Sequence, residues 1–446
     1  MDRSQTLKFF GRISAAVIIA AGLTCAIPQA GSAQTASQSR AMQYQNPTFD
    51  QGVRAFNAGD YEMALRSFLK LAHRGDPQSQ YYLAYMYDVG HGLTSDPNEA
   101  ARWYLRSAEQ NYMPAVVYAG YIYATGHGVS KDMDKAKGWY ERAAASGDII
   151  AQNNLGSLLL AENTRDSQYK AAQWFMSAAI KGSPSAQYNL ANMYREGTGI
   201  RRNLEEASKW YLRAALQGDK YAQNALGYMY LNGYGVEKSL SRGIQWLRRA
   251  AEQNLIPAQL QLANIYDRQS KRSNIDDGLR QEYETTAAVW YANAAREGNS
   301  KAAFQLAEYY RQGTGVPQNI TEAVRLLNKL VDIGYEPAKL KLAQYLETGE
   351  GGLRADPAKA LQWYEQAADE GDADAMFEAG RMHYDGIGTQ RDLIEAFKWF
   401  ALTVENLPEE SPKREDAIIA RVEVSNAMSA RDLETARGRV SSWRPR

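Results

Sequence analysis

The chain of 446 residues has one cysteine, four histidines and no net charge, with 51 Lys and Arg set against 51 Asp and Glu. One thiol leaves no partner for a disulfide within the chain and excludes a multi-cysteine zinc site. The even balance supplies no basic footprint for neutralising nucleic-acid phosphates, and no acidic excess of the kind that marks disordered tails. Proline is scarce at 13 residues, while 29 Tyr, 9 Trp and 35 Gly make the chain too aromatic for disorder and too punctuated for one long coiled coil. Long apolar runs are also missing. Only Ile13 to Ala26 is an uncharged apolar stretch, shorter than the roughly 20 residues that span a bilayer, so the chain is expected to be peripheral to a membrane at most. No Gly-x-Ser-x-Gly elbow, phosphate loop or His-Glu-x-x-His occurs. No cofactor and no enzymatic activity are implied.

The apolar stretch follows Arg3, Lys8 and Arg12 and is followed by Pro28 and the small residues Ala30, Gly31, Ser32 and Ala33. A basic start, a short apolar centre and a small-residue end make a secretory leader. Cleavage is expected after Ala33, which makes residues 1–33 a signal peptide and 34–50 a short linker, and places the mature protein in the periplasm or outside the cell. Cys25 lies within the apolar centre. Its acylation, which would give a lipoprotein, is disfavoured by the residues before it, Gly22-Leu23-Thr24, because a lipoprotein signal wants small residues there.

What the chain has in abundance is a period of 36 residues. Ala115, Ala151, Ala186, Ala222 and Ala258 mark it; Ser79 precedes them, and Ala302, Ala338 and Ala375 continue it. About twenty-four residues after each anchor stands a large side chain: Trp103, Trp139, Trp174, Trp210, Trp246, Trp290, Trp363 and Trp399, with Leu326 as the exception. Within a unit, Ala186, Leu190, Ala191, Met193 and Tyr194 have helical spacing, and so do Ala207, Trp210, Tyr211, Ala214 and Ala215. Each unit therefore reads as a helix pair, here helix A and helix B. Glycine pairs such as Gly126/Gly128 and Gly197/Gly199 stop helix A. Asp96 with Glu99, Asn203 with Glu206, Asn319 with Glu322 and Asp392 with Glu395 read as capping boxes that start helix B. Gly147, Gly182, Gly218, Gly298 and Gly371 end it. The fourth unit lacks the glycine pair, and the seventh carries eight extra residues around Ser270 to Asp277, so both loops are expected to bend or bulge. Small residues at the first and sixth positions of helix A let helices approach closely. The Trp and Tyr of helix B are expected to fill the space between neighbouring pairs.

The combination Ala-x-x-x-Leu-Ala/Gly-x-x-Tyr, Gly-x-Gly-Val/Ile, Ala-x-x-Trp-Tyr-x-x-Ala-Ala and Gly-Asp, clearest at residues 186–218, resembles the Sel1-like repeat family, relatives of the tetratricopeptide repeats. The resemblance covers residues 51–407, with nine full units and a leading partial one. It implies an all-α fold, a superhelical solenoid of about ten helix-turn-helix repeats that binds a protein partner on its concave face. Exported bacterial members are similar in serving as envelope scaffolds, as assembly factors of export or exopolysaccharide machinery, or as regulators of signalling components. A cysteine-rich branch is associated with penicillin binding and β-lactamase-like hydrolysis, and its paired cysteines are absent here. Residues 408–446 break the period and read as C-terminal capping helices, ending in Arg437, Arg439, Trp443, Arg444 and Arg446.

The fourth and seventh positions of helix A, three apart on one side, are the candidate partner-binding residues. They hold Tyr82 and Tyr85, Tyr118 and Tyr121, Asn154 and Ser157, Asn189 and Asn192, Ala225 and Tyr228, and Gln261 and Asn264. Tyrosine suits binding hot spots, and paired amides suit an extended peptide or a glycan. The rival readings are a cell-wall peptidoglycan or glycan binder, or a β-lactamase-like hydrolase. His91 and His127 stand at the same place in consecutive Gly-His-Gly loops, but two histidines are too few for a catalytic zinc, so no metal is expected. His73 and His383 have no evident partners in the sequence.

Overall fold

The computed structural model describes residues 48–350 and 354–445. The expected leader lies outside the described residues, as do Gly351 and Arg446. Among the described residues there are 22 α-helices and no strand. Contacts divide them into two compact units, one up to Gly243 and one from Ile244. The first holds α1 (Phe49–Asn57), α2 (Tyr61–His73), α3 (Pro77–Val89), α4 (Pro97–Glu109), α5 (Met113–Thr125), α6 (Met133–Ala145), α7 (Ile149–Ala161), α8 (Arg165–Ile180), α9 (Pro184–Glu196), α10 (Leu204–Leu216) and α11 (Lys220–Asn232). The boundary falls in α12 (Leu240–Glu252). The second unit continues with α13 (Ile256–Ser270), α14 (Asp277–Arg296), α15 (Ser300–Gln312), α16 (Ile320–Asp332), α17 (Glu336–Thr348), α18 (Pro357–Asp369), α19 (Ala373–Asp385), α20 (Leu393–Asn406), α21 (Pro412–Asn426) and α22 (Ala430–Ser442). In chain order the first twenty alternate as the A and B helices of ten repeats. The leading partial unit is a complete pair with a short first helix.

The caps explain why the helices begin where they do. Asp96, Asn203, Asn319 and Asp392 each accept a hydrogen bond from the backbone N–H three residues on, satisfying a donor that has no partner within the helix. The expected reciprocal bond from the glutamate is not made. Glu99, Glu206, Glu322 and Glu395 instead pair with the cation one turn further along, Arg102, Lys209, Arg325 and Lys398. Reciprocal boxes occur at Thr48 with Gln51 and at Thr164 with Ser167.

The two glycines of each loop have different tasks. Gly126 ends α5 in the left-handed region at φ +81°, where a side chain would clash with the backbone. Gly128 has positive φ as well, and a Cβ there would collide with the carbonyl oxygen of Pro97 at the start of the preceding B helix. One glycine stops the helix and the other lets adjacent pairs touch. Where the glycine after helix B is missing, Asn111 and Asn254 adopt positive φ in its place.

The two irregular units do not bulge as expected. In the fourth, the connection shrinks to residues 162–164 and α8 grows to 16 residues. In the seventh, the extra residues lengthen α13 to 15 residues and α14 to 20. Backbone groups that would need partners in an irregular loop are satisfied within helices.

The core follows the period with one inversion. Ser79, Ala115, Ala151, Ala186, Ala222, Ala258, Ala302, Ala338 and Ala375 are all fully buried. The helix-B side chain sealed in the core in every one of these nine repeats, however, is the one after the tryptophan, and the tryptophan itself is buried only at Trp103, Trp210 and Trp399. Tyr104, Tyr140, Phe175, Tyr211, Leu247, Tyr291, Leu327, Tyr364 and Phe400 are almost wholly buried, whereas Trp139, Trp174, Trp246, Trp290 and Trp363 are half-buried. The outer face of the indole carries a cation instead. Arg106, Arg142, Arg213 and Arg249 lie over Trp103, Trp139, Trp210 and Trp246 at 4.6, 5.3, 4.3 and 4.6 Å from the ring centre.

α21 and α22 pack on α20, where Val424 and Ala436 join Phe397, Phe400 and Ala401 in one apolar cluster. Arg439 pairs with Glu395.

Candidate binding face

The helix-A positions singled out above form three chemically distinct stretches. At the start of the first unit the tyrosines pack into an aromatic cluster. Tyr82 lies 5.0 Å from Phe68 and 5.4 Å from Phe49 between ring centres, and Tyr85 is 5.8 Å from Phe56. His91 stacks on Tyr61 at 4.2 Å. Tyr118 sits 4.1 Å from Tyr104 and 5.2 Å from Tyr121. All four candidate tyrosines here are half-buried. One side of each ring is therefore committed to the fold while another remains at the surface.

Asp88, at the last turn of α3, fixes this region. Its Oδ2 accepts the Tyr118 hydroxyl at 2.6 Å, and its Oδ1 lies 2.5 Å from His127 Nε2. Burial, reinforced by the carboxylate as acceptor and as charge, holds the Tyr118 hydroxyl well above the usual tyrosine range. His127 thus pairs with a carboxylate from the last turn of α3 and His91 with an aromatic ring. Among the described residues no group of three His, Cys, Asp or Glu is placed to hold a metal.

Asn189 and Asn192 do not face solvent, and their assignment to an open surface is corrected. Both are buried, as is Asn154. Asn189 Nδ2 donates to Asn153 Oδ1 at 3.0 Å, and Asn153 Nδ2 to Asn154 Oδ1 at 3.3 Å. Asn192 Oδ1 accepts the Tyr211 hydroxyl at 2.5 Å. The Asn189–Asn153 bond joins one pair to the next, the other two lie within a helix and within a pair, and all three supply what a buried polar group requires. Tyr228 is the opposite case: it is 49% exposed, and its ring lies 5.9 Å from Tyr234.

In the second unit Asn264 is exposed and accepts the Tyr291 hydroxyl at 2.8 Å. Beyond it the same face turns ionic, a feature missed in the sequence although the register pointed to it. The fourth and seventh positions are Gln305 and Glu308, Lys341 and Gln344, and Glu378 and Arg381. Glu308 accepts from Tyr345 at 2.7 Å and pairs with Arg311 at 3.2 Å and Lys341 at 3.7 Å. Arg381 bridges Glu347 at 2.5 Å and Glu378 at 2.9 Å. Tyr309 donates to Asp267 at 2.7 Å. His383, expected to lack a partner, is buried with Nε2 2.8 Å from Glu365, and His73 meets Trp103 edge-on at 5.2 Å.

Comparison with known proteins places this architecture. The pattern described as "Sel1 repeat" matches residues 77–112, 114–148, 149–183, 184–219, 220–255, 300–335, 337–372 and 373–405. These eight stretches leave out the leading pair and the seventh unit with its lengthened helices. Among curated relatives, the chain is 33% identical over 122 residues to an "Exopolysaccharide production negative regulator" of Rhizobium meliloti, covering 24% of this chain and 46% of that one. It is 36% identical over 149 residues to "Chitin synthase regulator SKT5" of Saccharomyces cerevisiae, covering 32% of this chain and 20% of that one. The chain thus spans less than half the length of these two relatives. Among solved structures, the Sel1 repeat protein from Oxalobacter formigenes is 31% identical with a TM-score of 0.53, over 70% of this chain and 90% of that one.

Proposed function

The chain belongs to the Sel1 repeat family, and we propose that it is a non-catalytic scaffold or regulator of the bacterial cell envelope that holds a partner protein on its helix-A face. The observation that carries this reading is the tyrosine cluster of the first unit. Tyr85 and Tyr121 are half-buried, so their rings are held in place by neighbours and lose little conformational freedom when a partner covers them. Asp88 fixes Tyr118, whose ring lies 5.2 Å from that of Tyr121. Exposed Tyr228 extends the same helix-A positions within this unit. Rigid aromatic side chains with a polar tip are what binding hot spots favour.

The regulatory reading draws support from two relatives named as regulators, one of exopolysaccharide production and one of chitin synthase. The envelope location draws support from the basic, apolar and small-residue sequence of residues 1–33. Export would expose the face to periplasmic or extracellular partners, which include components of a secretion or exopolysaccharide complex.

Crosslinking in intact cells followed by identification of the captured protein tests the proposal. A single dominant protein is expected, and its capture is expected to fall at least tenfold for Tyr85→Ala/Tyr121→Ala in a chain that keeps its helical circular dichroism. Undiminished capture by the folded double variant overturns the assignment of the face. Retention on peptidoglycan fragments without any captured protein overturns the partner class.

A further inference from the structure

One repeat breaks three positions of the pattern together. Leu326 stands where eight of the other nine pairs carry tryptophan, the leading pair having Ser67. In the pairs α3–α4 and α9–α10, the second residue of the helix-A series and the residue after helix B are glutamines that bond to each other: Gln110 Nε2 donates to Gln80 Oε1 at 2.7 Å, and Gln217 Nε2 to Gln187 Oε1 at 2.8 Å. In α15–α16 the same two positions are Ala303 and Ile333. The indole and the polar latch beside it are both replaced, and both replacements are apolar.

The result is an open cleft of about 510 Å³ between the end of α14, α15 and α16. Its walls include Ala295, Ala303, Leu306, Leu326, Leu330 and Ile333, and Ile333 is 67% exposed. The pair α19–α20 shows what such walls enclose elsewhere. There Trp399 belongs to one apolar cluster with Ala368, Met376 and Ala379, which occupy the positions of Ala295, Ala303 and Leu306 in the repeat. Trp399 is 2% exposed, with Val440 and Trp443 of the C-terminal segment also packed on its cluster, so walls of this kind accept an indole and leave the rest of its cover to a neighbour. The cation that lies over the ring in other pairs is also retained. Lys329 lines the cleft three residues after Leu326, as Arg106 follows Trp103. Arg296 joins it, and the one carboxylate of the lining, Glu322, is paired with Arg325.

We propose that this cleft is a docking pocket for an aromatic side chain, tryptophan above all, carried by an acidic segment of a partner polypeptide. The ring takes the place that a repeat's own indole takes elsewhere, Lys329 covers its face, and Arg296 and Lys329 draw the acidic neighbours. None of these residues belongs to the helix-A face, so the pocket and that face succeed or fail separately.

The full chain is tested by fluorescence anisotropy with a fluorescein-labelled, acetylated and amidated peptide of sequence Gly-Asp-Trp-Asp-Gly. Binding is expected for the native chain and at least a tenfold loss for Leu326→Trp, which fills the cleft with the repeat's own ring. Ala303→Met, which restores the residue found at Met376, is expected to weaken binding severalfold and carries the test if Leu326→Trp fails to fold. Lys329→Glu is expected to weaken it without lowering the melting temperature. Equal binding of the peptide with alanine for tryptophan overturns the proposal, as does equal binding by the folded cleft-filling variants or no binding at millimolar peptide. A concentration-dependent dimer that Leu326→Trp abolishes, or displacement of the peptide by decanoate but not by N-acetyl-tryptophanamide, overturns the assignment of the occupant in favour of a second copy or an acyl chain.

Discussion

Gly120 on α5 lies against the ring of Tyr140 on α6, so closely that a Cβ on the glycine would stand 2.5 Å from the ring. The same relation recurs at Gly156 with Phe175 and Gly380 with Phe400, at 2.8 and 2.9 Å. The small residue at the sixth position of helix A is therefore a seat for the buried aromatic of its own helix B. Tyr140 is fully buried and has no room to retreat.

Gly120→Ala tests this relation. Overpacking of a filled core costs about 1–3 kcal/mol, which outweighs the gain of up to about 1 kcal/mol from alanine's better helix propensity. A net loss is expected, read as a lower urea midpoint. Gly138, on the next helix, has nothing within 4 Å of an added Cβ, and Gly138→Ala is expected to stabilise.

Asp88→Ala is expected to destabilise by about 1–3 kcal/mol, because the half-buried Tyr118 hydroxyl loses its acceptor and His127 its partner. Asp88→Asn keeps an acceptor and should cost less. The urea midpoints of the two variants, compared at one pH, check the order.

Alkaline pH should unfold the protein. Burial, with the Asp267 charge as a smaller contribution, pushes Tyr291 up to about 12, and burial raises Tyr104, Tyr140 and Tyr211 as well. Below pH 10 these groups are protonated in both states and stability does not depend on them. Between pH 10 and 12 the unfolded chain ionises while the folded one holds its protons. Each such group then removes about 1.4 kcal/mol per pH unit. The melting temperature is expected to hold to pH 9.5 and fall steeply above it, with phenolate absorbance rising together with unfolding.

The repeat, its helix boundaries and its anchors were legible because each is local. A period of 36, an Asp or Asn before an amphipathic run and a glycine after it are set by backbone chemistry within a few residues, and Asp96, Asn203, Gly126 and Gly147 behave as their types require. Burial around the helix was not legible to the same degree. Trp and the following Tyr or Phe are adjacent and both large, and which one turns inward depends on the direction of helix B relative to helix A. The asparagines were misplaced for a related reason. The fourth position is half-open at Tyr82 and Tyr118 but closed at Asn154 and Asn189, because the amides are short enough for the next pair to settle over them. The ionic stretch at Glu308, Lys341 and Arg381 was available from register alone. Residue type does not mark it, because charged side chains at a surface-facing register are ordinarily solvated and only the structure shows them paired across repeats.

The buried amides separate holding the fold together from holding a partner. Asn189→Leu removes the donor to Asn153 Oδ1 and places an apolar group of similar size beside a carbonyl oxygen that has lost its hydrogen bond. Leaving a buried acceptor unmet costs about 1–3 kcal/mol, offset in part by the added apolar burial, so a fall in the urea midpoint is expected. Asn189 is buried and has no open surface to offer a partner, so partner capture by the folded variant should be unchanged, in contrast to Tyr85→Ala/Tyr121→Ala. Reduced capture by a fully folded Asn189→Leu chain would instead assign recognition to the amides and reverse the order of importance along the helix-A face.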